Sequence, residues 1–201
     1  MGAKQEIFAF DFDGTLTRRD TLIALARFAR GGLAVAWWMA LHAPLLAAVK
    51  AGLCPGAKAK EKLLAHFFGG MAVEDFNHLC ADFARHEARL LRPAGMAAVN
   101  EAVARGATVL VVSASLANWV GAFLAEFGGR VTLLCSEAEV EGGRITGRLA
   151  TANCNGAEKP RRILALFPHR EDYRLVAFGD SRGDREMLAM ADEAHYKPFR
   201  D

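Results

Sequence analysis

Three short apolar runs, each stopping at a polar residue, constrain this chain more than any other feature. Ile7-Phe8-Ala9-Phe10 runs into Asp11, Val109-Leu110-Val111-Val112 into Ser113, and Leu175-Val176-Ala177-Phe178-Gly179 into Asp180. Runs this short and this apolar read as buried strands. Helical spacing fills much of the rest, at 21–30 (with Asp20 as a candidate N-cap), 58–68, 73–91, 93–105, 116–127, 158–167 and 182–191. Residues 131–135 read as a further strand, and 137–149 as a β-hairpin turning at Gly142-Gly143. Strands alternating with helices predict an α/β fold, a Rossmann-like parallel sheet with helices on both faces.

The helical block at 18–91 interrupts that alternation. It is expected to be an inserted all-helical cap over the carboxyl edge of the sheet, with 1–17 and 92–201 forming the core. The length, 201 residues, suits one core domain with one sizeable insertion. A hydrophobic share of 52% is enough to pack such a core without disulfides or a structural metal.

Ligands bind outside the carboxyl ends of the strands in open α/β sheets. Asp11, Ser113 and Asp180 are therefore expected at one crevice. Asp11 and Asp13 are two residues apart, which in extended chain turns both side chains the same way. Asp180 and Asp184, four apart at a helix start, are expected on one side. Four carboxylates at one point repel one another and call for a cation, and hard oxygen ligands select magnesium (Mg2+). Lys159 adds a positive charge on the opposite side of the chemistry. The Ser113 hydroxyl and the Ala114 amide, at a turn into a helix, suit a phosphate oxygen.

These parts fit phosphoryl transfer. Asp11 is the candidate nucleophile, forming a covalent intermediate on phosphorus. Asp13 is the candidate acid–base, protonating the leaving alkoxide and then deprotonating water. Magnesium and Lys159 would stabilise the charge on the transferred group.

Asp11-Phe12-Asp13-Gly14-Thr15-Leu16-Thr17 resembles the first motif of the haloacid dehalogenase (HAD) superfamily of phosphatases. Ser113 matches the second motif, Lys159 the third, and Asp180 with Asp184 the fourth, in order along nearly the whole chain. D-x-D-G-T-L arises by chance roughly once per million positions at average residue usage; the other matches carry little singly. A helical insertion between the first two motifs is similar to the C1-type cap of the phosphoserine phosphatase-like branch, subfamily IB. The resemblance implies a magnesium site made by Asp11, the backbone carbonyl of Asp13, Asp180 directly, and Asp184 through water or a more distant contact.

Phosphoserine phosphatases carry a glutamate nine residues after the nucleophile, where this chain has Asp20. Asp20 is open to substrate binding and to capping the helix from Thr21. The ungapped match to their cap arginine is Leu64, and no arginine lies between Arg30 and Arg85. Gly183 stands where their fourth motif has asparagine. The apolar stretch 32–49 holds Trp37, Trp38 and Met39, is interrupted by Pro44, and has His42 as its only ionisable side chain. In position and character it resembles the hydrophobic cap segment of phosphatidylglycerophosphatase C-like members of the branch, as does Gly156-x-Glu158-Lys159. The expected substrate is a phosphorylated small molecule or a lipid phosphate. The stretch itself is open to three readings: buried cap helices, a membrane- or lipid-facing surface, or a span near the lower length limit.

Net charge is +2, with no basic block, which argues against a nucleic-acid partner. Cys54, Cys80, Cys135 and Cys154 form no C-x-x-C pair or zinc pattern and read as reduced thiols. With a polar start at 1–6 and no signal peptide, they predict a cytoplasmic protein, with peripheral membrane contact through 32–49 left open. His42, His66, His78 and His86 have no ligand spacing. A signalling receiver module would share an Asp acceptor, Ser/Thr, Lys and magnesium carboxylates, but it places the acidic pair on an earlier strand than the acceptor. A membrane-binding protein with a vestigial site is the other alternative, and the intact motif set argues against it.

Overall fold

The computed structural model describes residues 4–200; Met1 to Ala3, part of the polar start, and Asp201 lie outside that span. The chain opens with β1 (Gln5–Phe10) and a tight turn over Phe12–Leu16, followed by helices α1 (Thr21–Arg30), α2 (Gly32–Leu41), α3 (Ala43–Lys50), α4 (Gly56–Phe68) and α5 (Val73–His86). Next come α6 (Pro93–Ala104), β2 (Thr108–Leu116), α7 (Ala117–Phe123), β3 (Val131–Ser136), and a hairpin of β4 (Ala138–Glu141) and β5 (Arg144–Leu149). The chain ends with α8 (Glu158–Leu166), β6 (Tyr173–Gly179), α9 (Arg185–Met190) and β7 (Glu193–Tyr196).

Five strands form a parallel sheet in the order β3-β2-β1-β6-β7. β1 is central, which explains why its residues are apolar on both faces. Ile7 and Ala9 pack on one side with Leu110, Val112, Leu175, Ala177 and Ile163. Phe8 and Phe10 pack on the other with Val111 and Phe178, and this second core continues into the inserted helices through Phe68, Phe76 and Phe83. The Phe83 ring of α5 meets Phe123 of α7 edge-on, with centroids 5.4 Å apart. Sheet and insertion therefore share one apolar core on that face.

The insertion leaves and rejoins the sheet at one point. Thr17 and Leu91 form an antiparallel bridge, and the amides of Arg18 and Arg92 donate to Leu90 O and Leu16 O, both at 2.8 Å. The hairpin packs on the insertion, where β5 lies along α4 and Ala72 bridges Arg144.

Several elements differ from the sequence expectation. β2 runs on to Leu116, with a register shift between Ser113 and Leu116, so α7 starts later and ends at Phe123. The last helix starts at Arg185, because Ser181 and Asp184 cap each other across a tight turn at Arg182–Asp184. β7 was not expected; Glu193–Tyr196 is a short, half-exposed edge strand without an apolar run.

The stretch 32–49 forms α2 and α3, bent by 72°. Pro44 sits in the first turn of α3, where its missing N–H costs nothing. No single helix among the described residues is long and apolar enough to cross a membrane; α2 and α3 pass that test only together, as a bent pair. Val35 and Trp38 face the core, while Leu33, Trp37 and Leu41 are 89%, 74% and 67% exposed.

Candidate active site

β1 and β6 are neighbours, yet the chain leaves β1 for β2 on its other side. The strand order thus switches between β1 and β6, and a ligand crevice is expected there. Asp11 follows β1 and Asp180 follows β6, and the Asp11 amide donates to Phe178 O at 2.9 Å. A cavity of about 420 Å³ opens at this edge. Asp11, Asp13, Asp20, Ser113, Ala114, Lys159 and Asp180 all line it. Asp184 is fully buried behind them.

Asp11, Asp180 and Asp184 each bring a carboxylate oxygen within 4.8 Å of the others. The Asp13 side chain does not join this group, contrary to the expectation from its spacing. The extended geometry ends at Asp11, because the chain turns sharply through Phe12–Leu16 with Gly14 at φ +82°. The Asp13 carboxylate is instead held by α1 and β2. Thr21 donates to Oδ1 from its amide (2.8 Å) and its hydroxyl (2.6 Å), and the Ser115 hydroxyl donates to Oδ2. Gly14 is required for a second reason: a Cβ there would stand 2.5 Å from Asp180 Oδ2.

Lys159 does not stand across from the carboxylates. The first turn of α8 carries it between two of them, where its Nζ donates to Asp11 Oδ1 (2.5 Å), Asp184 Oδ1 (2.6 Å) and Val112 O (2.7 Å). An ammonium with only 2% exposure needs three acceptors, and it has them. Asp11 Oδ2 accepts from the Thr15 hydroxyl at 3.1 Å. Asp184 Oδ2 accepts from the amides of Asp180 (3.1 Å) and Ser181 (2.9 Å) and from the Ser181 hydroxyl (2.8 Å).

These contacts set the protonation balance. Burial pushes Asp11 up to about 7, against the pull of Lys159 and with the push of Asp184. Burial and the nearby Asp20 push Asp13 up to about 6, opposed by its bonds from Ser115 and Thr21. Burial disfavours the charged forms of Lys159 and Asp184 as well, but their partners together outweigh it: Asp11 and then Asp184 hold Lys159 above its ordinary value, and Lys159 with the bonds from Ser181 holds Asp184 below its own. Three clustered carboxylates face one buried ammonium. The excess is negative and all the clustered donors are hard oxygens, so the set fits a magnesium ion.

Two expectations about neighbouring residues change. Ala114 lies within β2 at the bulge rather than at a helix start, and its carbonyl accepts from Lys60 Nζ at 2.6 Å. Ser113 Oγ accepts from the Ser115 amide at 3.0 Å. Asp20 caps α1, accepting from the Ile23 amide at 3.0 Å, and lines the cavity as well. Leu64 is buried in the core. Beside Gly183 stands Asn155; a Cβ at 183 would lie 1.9 Å from Asn155 Oδ1, so the Asn155 amide fills the space a side chain at 183 would need.

Sequence reasoning missed Thr21, Ser115, Asn155, Arg18, Arg19, Arg200 and Lys60, all at or beside the cavity. Arg200 forms an ion pair with Asp180. Lys60 is the clearest omission. It reaches from α4 to Ala114 O and to Asn153 Oδ1 at 2.7 Å, and burial lowers its pKa. A signal for it existed: Lys60 falls three, four and seven residues before Leu63, Leu64 and Phe67, on the inward face of α4. Thr21 and Ser115 had no such signal.

The sequence pattern of haloacid dehalogenase-like hydrolases matches residues 8–189. The chain belongs to that family. Protein CicA of Caulobacter vibrioides is 35% identical to this hydrolase over 202 residues, covering 100% of this chain and 89% of the relative. A protein of unknown function from Bordetella pertussis Tohama I has a similar structure, with TM-score 0.79 and 22% identity over 93% of this chain and 87% of that one. A HAD family hydrolase from Salmonella enterica serovar Typhi follows at 0.71 and 18% identity, covering 94% and 60%. A phosphoserine phosphatase carrying a phospho-aspartyl intermediate analogue superposes at 0.63 with 22% identity, covering 94% and 84%. At these identities the structural likeness speaks for the shared HAD fold. In this HAD hydrolase, the motif residues Asp11, Ser113, Lys159, Asp180 and Asp184 meet at the carboxyl edge of that fold.

Proposed function

We propose that this hydrolase removes the phosphoryl group from a phosphomonoester, using magnesium and an aspartyl-phosphate intermediate on Asp11. One observation carries the reading: two neighbouring carboxylates at one cavity have separate fixings. Asp11 is held by Lys159 and Thr15, whereas Asp13 is held by Thr21 and Ser115. Such a division suits a nucleophile beside an acid–base group.

Asp11, Asp180 and Asp184 would hold magnesium, which supplies neutralisation of charge on the phosphoryl oxygens. A carboxylate oxygen of Asp11 bonds to phosphorus as the ester P–O bond breaks, and Asp13 gives its proton to the departing alkoxide. Asp13 then accepts a proton from water, whose oxygen attacks phosphorus. Inorganic phosphate leaves and the Asp11 carboxylate returns. Lys159 keeps Asp11 in one orientation and offsets its charge, and Ser113 offers a hydroxyl to the phosphoryl group.

The substrate is read as a small organic phosphate or a lipid phosphate, with phosphoserine, which the motif resemblance implies, as the alternative. The exposed apolar residues of α2 favour peripheral contact with a membrane surface, which would present a lipid phosphate to a cytoplasmic enzyme. Co-sedimentation with vesicles tests that contact, with Leu33→Ser/Trp37→Ser expected to weaken it.

Release of phosphate from p-nitrophenyl phosphate, with and without magnesium, tests the reaction. Asp11→Asn is expected to lose several powers of ten in rate. Wild-type turnover by that variant would remove the nucleophile assignment. A phosphoenzyme lasting many minutes would favour a receiver-like module instead.

A further inference from the structure

The chain end forms a strap over the carboxyl edge of the sheet. After β7 the Lys197 amide donates to Gly179 O at 2.8 Å, with Lys197 at φ +57°. A residue with a side chain takes that conformation at a cost, and keeps it where contacts hold it. Phe199 then stacks on Phe178, with ring centroids 5.5 Å apart, and fits against α6 at Gly95, where a Cβ would stand 3.3 Å from the Phe199 ring. Arg92 joins this strap to a distant segment. Its guanidinium donates from Nε to Thr17 O (3.1 Å) and from Nη1 to Phe199 O (3.2 Å). The residues that follow those two carbonyls are Arg18 and Arg200, and both line the catalytic cavity together with Arg19. All three are exposed, unlike Lys159, which is buried among its acceptors. The Arg200 guanidinium carries several N–H donors, and among the described residues it uses Nη2 to pair with Asp180.

We infer that Arg200, set beside Arg18 by the Arg92 clamp, is a specificity-determining residue that binds a second anionic group on the substrate. The inference rests on the proposed reaction for what the substrate is, but not for the binding itself. Lys159 is engaged by Asp11 and Asp184, and Lys60 by Ala114 O and Asn153 Oδ1. The arginines at the rim have no such task in the phosphoryl chemistry. A guanidinium binds carboxylate and phosphate oxygens two at a time and stays charged at any working pH. The acid at this rim, Asp20, already accepts from the Ile23 amide, and the three guanidinium groups outnumber it. Asp180 belongs to the oxygen cluster that fits magnesium, so Arg200 stands one carboxylate away from the reacting centre. A short linker is therefore enough to join the two anionic groups of the substrate. The same chemistry has two sources: the carboxylate of a small phosphorylated acid, or the phosphodiester of a lipid headgroup.

Calorimetric titration of the magnesium-loaded protein with phosphonates, which cannot be hydrolysed, tests the inference. 3-Phosphonopropionate is expected to bind roughly 10-fold more tightly than butylphosphonate, through charge-assisted bonds to its carboxylate. That preference should shrink as salt rises, since the rim is exposed. Arg200→Ala should remove it, and Arg200→Lys should keep part of it as a point charge. Phe199→Ala, which unseats the strap while leaving Arg200 in the chain, should weaken it as well. Equal affinities for the two phosphonates in the unaltered protein, or a carboxylate preference that survives Arg200→Ala, would overturn the inference whatever the turnover assay gives. Equal loss of both phosphonates in Arg200→Ala, with weaker magnesium binding, would also overturn it by showing that Arg200 serves Asp180 alone. A preserved preference without any phosphate release would instead overturn the proposed reaction. Ethyl 3-phosphonopropyl phosphate, with a phosphodiester in place of the carboxylate, separates the sources: affinity above that of 3-phosphonopropionate indicates a lipid headgroup, and affinity below it a small acid.

Discussion

Gly147 of β5 lies so close to Ala65 of α4 that a Cβ at 147 would stand 2.3 Å from the Ala65 Cα. Backbone bonds extend the contact: Gly70 N to Ile145 O (2.8 Å), Ile145 N to Met71 O (2.9 Å) and Val73 N to Gly143 O (2.9 Å). A hairpin that follows the third strand thus holds the helical insertion at a place far from its Thr17–Leu91 root. This second attachment fixes α4, and with it Lys60, over the catalytic edge.

Gly147→Ala tests that attachment. Gly147 has φ +92°, and the clash is with backbone, so no side-chain rotation relieves it. The variant is expected to lose about 2 kcal/mol or more, read as a lower urea midpoint. An unchanged midpoint would show that the contact is loose in solution.

Gly14→Ala would force the Asp180 carboxylate away, because the new Cβ would stand 2.5 Å from its Oδ2. Displaced ligands cost metal affinity by about 10- to 100-fold. The magnesium concentration for half-maximal activity should rise accordingly. A wild-type magnesium curve would argue against Asp180 as a ligand.

Thr21→Val removes one of the two Thr21 bonds to Asp13 and also the acceptor for Trp119 Nε1, now at 2.9 Å. Turnover is expected to fall about 10- to 100-fold through the acid–base group. Stability should drop by about 1–3 kcal/mol from the orphaned indole. Thr21→Ser keeps the hydroxyl and should restore both.

The thiols should differ in reactivity. Burial pushes Cys80 up to about 12 and Cys154 up to about 11, and raises Cys135 as well. Cys54 alone among the four is not buried. A thiol-exchange reagent at mildly alkaline pH should titrate one cysteine in the native protein and four in urea. More than one native thiol would mean the core opens readily.

Glu158 predicts an acid limb of stability. Side-chain bonds from Arg161, working against burial and joined by Arg162, hold it at about 2, below its ordinary 4.5. A depressed carboxyl favours the folded state when charged, so its contribution is complete above about 4.5 and is lost as pH falls through about 2. Urea midpoints of wild type and Glu158→Gln should therefore converge as pH falls across that window. A difference that does not change with pH would show that Glu158 acts through packing alone.

Much of the molecule was legible in the residues themselves. Strand runs such as 7–10 and 175–179 are local patterns, and their polar ends mark the sheet edge wherever the strands pair. Hence Asp11, Ser113, Asp180 and Asp184 could be placed at one site before any contact was known. Lys159 could be placed there too, although not its bridging position between Asp11 and Asp184, since that depends on where α8 starts behind two strands. The short strand β7 escaped notice because an edge strand buries little and needs no apolar run.

The sequence by itself determined the strand-end chemistry, because hydrophobic periodicity and a compact motif act over a few residues. Only the tertiary structure decided the side chain of Asp13, the reach of Lys60 and the convergence of Arg18 and Arg200. Each of these depends on segments tens of residues apart packing at fixed distances: Thr21 with Ser115, α4 with β5, and Arg92 with Thr17 and Phe199. No local pattern carries such distances, since they follow from how whole faces bury against one another.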